Sequence, residues 1–173
     1  MKKIYNVLPI VFIATILSGC AGSWGQVPYI PPSASEENIA KIRLIGNPVG
    51  FTIGQLDKKA GHVDNSTVVI FKSSTDIGLP KLPSVPERYK ETYFETALYA
   101  GTQTKISYSF GGCSVGMDFL PQKNEVYEFR ASFSDLAGYC VLYGVHVKYD
   151  KENDIYVEEP IIRLDSSKGK KWN

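Results

Sequence analysis

Cysteine, histidine and excess charge are all scarce in this chain, and each scarcity excludes something. Of 173 residues, three are cysteine and two are histidine. His62 and His146 stand in no paired motif, so a metal site lacks the ligands it needs at suitable spacing. Lys and Arg total 19 against 18 Asp and Glu, a formal charge of +1. A nucleic-acid binder shows a basic excess, and none is present. There is no Walker A loop, dinucleotide fingerprint or metalloprotease helix motif, and no cofactor is expected. The one long apolar run, Ile4 to Leu17, covers 14 residues. A bilayer span needs roughly 20. No amphipathic helix longer than two turns can be traced. What remains is 43% hydrophobic and 21% charged, the composition of a single folded domain.

The N-terminus reads as an address. Met1-Lys2-Lys3 is a positive start, the apolar run follows, and the segment closes on Leu17-Ser18-Gly19-Cys20 instead of a small-x-small cleavage site. This pattern resembles the lipobox of bacterial lipoproteins. The resemblance implies a signal peptide over 1–19 and a diacylglyceryl thioether on Cys20, with cleavage just before it. Buried acyl chains contribute about 0.8 kcal/mol per CH₂, and stable anchoring takes more than one chain. Ala21, where Asp would imply inner-membrane retention, implies the outer membrane of a Gram-negative envelope, facing the periplasm.

Residues 20–37 read as the lipidated cysteine and a Pro/Gly/Ser tether, which fully extended reaches at most roughly 55–60 Å. Trp24 and Tyr29 are expected at the lipid interface or docked on the domain. The folded domain is expected over 38–165, followed by a basic, solvated tail over 166–173.

From Ile39 onward the chain reads as β. Apolar and polar residues alternate, and turn residues interrupt at short intervals. Lys41-Ile42-Arg43-Leu44 alternates, and Phe51-Thr52-Ile53 continues beyond a turn. Val68-Val69-Ile70-Phe71 is apolar on both faces, which predicts a central strand. Pro80, Pro83 and Pro86 exclude interior sheet, so 74–88 reads as a long surface loop. A helical turn from Glu87 precedes a strand near Thr92–Ala100. Ile106, Tyr108 and Phe110 form one oily row, and Tyr127, Phe129, Ala131 and Phe133 another. Val141, Tyr143, Val145, Val147 and Tyr149 form a third. Cys140 is out of phase with that third row, either because Gly144 marks a bulge or because Cys140 ends the strand. The expected fold is an all-β, antiparallel two-sheet sandwich of about eight or nine strands, Ig-like or transthyretin-like. A small closed barrel is the alternative. Tyr127, opening a strand after Phe119-Leu120-Pro121 and a polar turn, resembles a tyrosine corner, although Cys140 lies too far beyond it for the Ig pattern. Over Ala100–Val147 the chain also resembles small β-rich bacterial lipoproteins of uncharacterised function, a likeness that implies no chemistry.

Cys113 and Cys140 are an even pair in an exported chain, and a disulfide is expected between them. Closing such a loop contributes about 3.5 kcal/mol by the chain-entropy argument. Gly112-Cys113-Ser114-Val115-Gly116 matches G-x-S-x-G, and Asp135 and His146 follow in hydrolase order. That elbow needs a strand, a turn and a helix, and Pro121 stops any helix after Ser114. The sequence therefore reads as a non-enzymatic envelope module, held to the membrane by its anchor and binding an envelope protein or cell-wall partner. A component of an envelope secretion machine or an inhibitor of a periplasmic hydrolase is the second reading. A serine hydrolase centred on Ser114 is the third.

Overall fold

Alternating strands fold here into two sheets that share one core. The computed structural model describes residues 27–46, 50–57, 62–64, 67–68, 74–110, 112–134 and 139–162. Cys20, Asp135, residues 1–19 and residues 166–173 lie outside them, as does the side chain of Cys113. The first sheet contains β1 (Val27–Pro28), β3 (Phe51–Asp57), β4 (His62–Asp64), β5 (Thr67–Val68), β7 (Thr104–Phe110) and β8 (Cys113–Phe119). Its order is β1-β5-β3-β7-β8, with β4 paired to β3. The second contains β2 (Ile39–Ile45), β6 (Tyr93–Tyr99), β9 (Val126–Ser134), β10 (Tyr139–Asp150) and β11 (Ile155–Pro160), in the order β11-β10-β9-β2-β6. The fold is all-β and sandwich-like, with no closed barrel. It is not purely antiparallel: β2 and β9, at the middle of the second sheet, pair in parallel.

Between the sheets lie Phe51, Ile53, Ile106, Tyr108, Met117 and Phe119 from one side, and Ala40, Ile42, Leu44, Leu98, Tyr127, Phe129 and Leu142 from the other. The oily rows on β7 and β9 are as expected at Ile106, Tyr108, Tyr127, Phe129 and Ala131, while Phe110 is exposed at the strand end and the side chain of Phe133 lies outside the described residues. Over its first half β10 has the reverse of the expected phase, although Val147 of the expected row is buried as well. Leu142 is in the core and Cys140 packs against it, while Tyr143 and Tyr149 are exposed. Gly144 causes no bulge, because β10 pairs with β9 without interruption from Tyr139 to Val147. Instead it is a close-approach position: a Cβ there would come within 2.7 Å of the Phe129 ring and 2.9 Å of Met117 Sδ. The small residue admits its large neighbours and inverts the apparent pattern.

The stretch 74–88 is not merely a surface loop. It straps the outer face of the second sheet, with Leu79 and Leu82 buried beneath it. Arg43, which alternation would put in water, is fully buried there beside Glu95 and Glu128. Its guanidinium reaches Glu95 at 2.6 Å and Glu128 at 3.0 Å. It also donates to the Leu79 and Pro80 carbonyls at 2.9 and 3.0 Å. Tyr89 and Tyr93 stack on it at 4.7 and 5.5 Å. Glu95 in turn accepts from the backbone N–H of Ile77 and Leu79. Desolvation is the largest influence on the Arg43 charge and opposes it, but the bonds to Glu128 and Glu95 hold its pKa above the ordinary value. A five-residue 3-10 helix, Pro86–Lys90, ends the strap and delivers Arg88 to Glu128 at 2.6 Å.

The N-terminal segment from Val27 on, expected as tether, is seated on the domain. β1 pairs with β5, and the Tyr29 hydroxyl donates to the Ala97 carbonyl at 2.6 Å. Of the apolar run expected to be central, Val68 belongs to the short β5, and Val69–Phe71 lie outside the described residues.

Candidate ligand-binding cleft

The end of β8, the turn after it, and the β10–β11 pair enclose a cleft of about 500 Å³. That volume is within the range of small-ligand sites. The turn is held from several sides. Gly101, with φ of 68°, donates its N–H to the Pro121 carbonyl at 2.8 Å. Asn124 adopts φ of 65°, which asparagine tolerates better than most residues, and donates to the Ile39 carbonyl at 2.8 Å. The Tyr127 hydroxyl accepts from the Gln122 N–H at 3.0 Å. That reach back to the backbone before the strand is what the tyrosine-corner likeness leads one to expect.

Tyr127 and His146 are directly opposite on β9 and β10. Their rings stack with centroids 4.9 Å apart and planes 22° apart. His146 Nε2 and Glu125 Oε2 are 2.5 Å apart. Lys148 pairs with Glu159 at 2.8 Å across to β11. Phe119, Leu120, Pro160, Ile161 and Ile162 supply apolar wall, and Leu120 and Ile162 are exposed. Burial, followed by the Glu125 charge, raises the Tyr127 hydroxyl above its ordinary pKa despite the Gln122 hydrogen bond. The cleft is open, with apolar wall on one side and an imidazole–carboxylate pair and a Lys–Glu pair on the other. Among the described residues that line it there is no Ser, Thr or Cys.

Ser114 lies elsewhere. It is exposed, and its hydroxyl meets that of Ser109 at 3.1 Å across the β7–β8 pair. β8 continues as a strand to Phe119, where a nucleophile elbow would turn into a helix. Phe119 meets Tyr127, the cross-strand neighbour of His146, so Ser114 is five strand positions away from His146, roughly 17 Å along β8.

The structure thus brings His146 together with Glu125 and Tyr127, and separates it from Ser114. Reading the sequence did not single out Glu125, nor the ion cluster of Arg43, Glu95 and Glu128. Among the described residues, no group of three or more His, Cys, Asp or Glu could hold a metal ion. No helix among them is long and apolar enough to cross a membrane. Against known proteins the chain stands apart: no family model, curated protein or solved structure matches it.

Proposed function

We propose that the chain is an exported, lipid-anchored β-sandwich that binds an envelope partner at the cleft and carries out no chemistry on it. The observation that carries the anchoring is Leu17-Ser18-Gly19-Cys20 after a positive start and an apolar run. Binding is supported by the cleft itself, whose exposed Leu120 and Ile162 leave apolar surface for a partner to cover. Because β1 starts at Val27, seven chain steps separate Cys20 from the first seated residue. Seven extended steps span at most roughly 25 Å, less than half the reach of a free tether ending at residue 37. The domain is therefore held close to the lipid surface.

The same reading includes a Cys113–Cys140 bridge. Its support is the register across the core. Phe119 meets Tyr127, and Met117 underlies Gly144. Continued four residues back along both strands, that register would bring Cys113 opposite Cys140.

The anchoring test is Cys20→Ser in cells fed a radioactive fatty acid. The wild-type protein takes up label and fractionates with membranes, and the variant does neither. A variant that keeps its label and stays in the membrane overturns the anchor. For the cleft, a photo-crosslinker at Leu120 should capture a partner from intact envelopes, and Ile162→Asp should abolish that capture. Capture that survives Ile162→Asp removes the cleft from the binding surface.

A further inference from the structure

On the opposite face of the strands that carry the cleft, β9–β11 and the strap enclose an open trough of about 290 Å³. Tyr143 stands in it 55% exposed, with no hydrogen-bond or ring partner among the described residues. Arg130, its cross-strand neighbour, is already tied to Glu91 through Nε and Nη2 at 3.1 and 2.8 Å. Arg88 is tied through a single nitrogen, Nη1, to Glu128 at 2.6 Å and Glu158 at 3.2 Å.

These pairings decide what the trough can accept. The two guanidinium charges are already matched by Glu91, Glu128 and Glu158, so an added anion meets no net positive charge, and a cation would have to approach between two arginines. A neutral ligand meets neither obstacle. Donors and acceptors are nevertheless left over. Arg88 Nε and Nη2, Arg130 Nη1, Glu158 Oε1 and the Ser132 hydroxyl have no partner among the described residues. The charged ones are held beside an open aromatic face by ion pairs that are already made, so little ordering is needed on binding. The matching ligand is a neutral ring with an apolar face to lie on a tyrosine and hydroxyls at its edge to meet planar hydrogen-bonding groups. We propose that this trough is a binding site for an uncharged glycan, one pyranose ring stacking on Tyr143 and its hydroxyls reaching Arg88, Arg130 and Glu158. The site is separate from the cleft and does not depend on lipidation of Cys20.

The test uses the purified full chain in a detergent without a sugar headgroup. Cellohexaose, maltohexaose and the hexamer of N-acetylglucosamine are titrated by calorimetry, with saturation-transfer NMR to locate the bound ring. At least one binds with Kd of roughly 1 mM. Tyr143→Ala weakens it by roughly tenfold, while Tyr143→Phe stays within about threefold, because the ring and not the hydroxyl forms the platform. Tyr149→Ala, an exposed aromatic outside the trough, leaves it unchanged, and the melting temperatures of all three variants stay close to the wild-type value. Raising salt from about 0.1 to 0.5 M changes Kd by less than about twofold, as befits a neutral ligand. The proposal is overturned if none of the three glycans binds at about 10 mM, if binding survives Tyr143→Ala, or if salt abolishes it. It is equally overturned if the trough crosslinks to a peptide that a saturating glycan does not displace.

Discussion

The five-stranded sheet has two faces made from the same strands, and they are buried by different physics. Its inner face meets the other sheet through Ile42, Leu44, Phe129 and Leu142, side chains with no polar atoms to satisfy. Its outer face meets the strap through Arg43, Glu95 and Glu128, where every buried polar side-chain atom has a partner among the described residues. The first face tolerates change in proportion to the volume removed. The second is all-or-none, since removing one ion strands the others in a dry site. Alternation tells which residues share a face, but not whether the polar face meets water.

The sharpest way to break the comparison is Arg43→Ala. It leaves Glu95 and Glu128 buried without their cation and should cost about 3–5 kcal/mol. Changing Arg43, Glu95 and Glu128 together to leucine should recover only part of that loss, because the buried charges go but the strap's backbone groups at Ile77, Leu79 and Pro80 lose their partners. Denaturant unfolding measures both. If the single variant unfolds at the wild-type midpoint, the outer face is not sealed by its ions.

On the inner side, the proposed bridge is the next largest effect. Cys140→Ala should cost about 3.5 kcal/mol and erase the difference between reduced and oxidised protein. Ser114→Ala removes one exposed hydroxyl and should cost at most about 1 kcal/mol. Mass mapping that recovers Cys113 and Cys140 as free thiols from freshly isolated envelopes would refute the bridge. Leu142→Ala should then cost about 3 kcal/mol through the cavity it opens. Tyr149→Ala, one strand face away, should cost no more than about 1 kcal/mol, through its contacts with Asp154 and Tyr156. The opposite ranking would restore the phase that the sequence implies for β10.

The smallest effect concerns alkaline pH. Burial raises the pKa of Tyr29, Tyr89, Tyr108 and Tyr127 above the ordinary value. Their unfolded-state pKa is about 10, so the full contribution is present below that pH. Above it the unfolded chain ionises first, and stability falls as pH climbs toward the folded-state values. Tyr29→Phe, which removes the phenol bound to the Ala97 carbonyl, should flatten the fall in denaturant midpoint between about pH 9 and 11.5. An unchanged slope would exclude Tyr29 as a source.

Much of the fold was legible in the sequence because period-2 alternation is a local signal. β7, β9 and the 3-10 turn before β6 all follow from residues within a few positions of one another. The failures share a physical cause. The phase of β10 depends on Gly144 facing Phe129 and Met117, contacts that come from two other strands. The burial of Arg43 depends on partners 52 and 85 residues away. At the cleft, His146 was visible as a rare residue. Glu125 is ordinary in composition and becomes notable only where the turn delivers it to the imidazole.

The parallel pairing of β2 with β9 also constrains when this protein can fold. Ile42 lies beside Tyr127, and Leu44 beside Phe129. The middle of the second sheet therefore cannot form until more than two-thirds of the chain is available. Contacts so distant along the chain have to close a long loop before they are rewarded, which slows folding. For the export proposed above, such a delay would keep the chain threadable until its last strands are made.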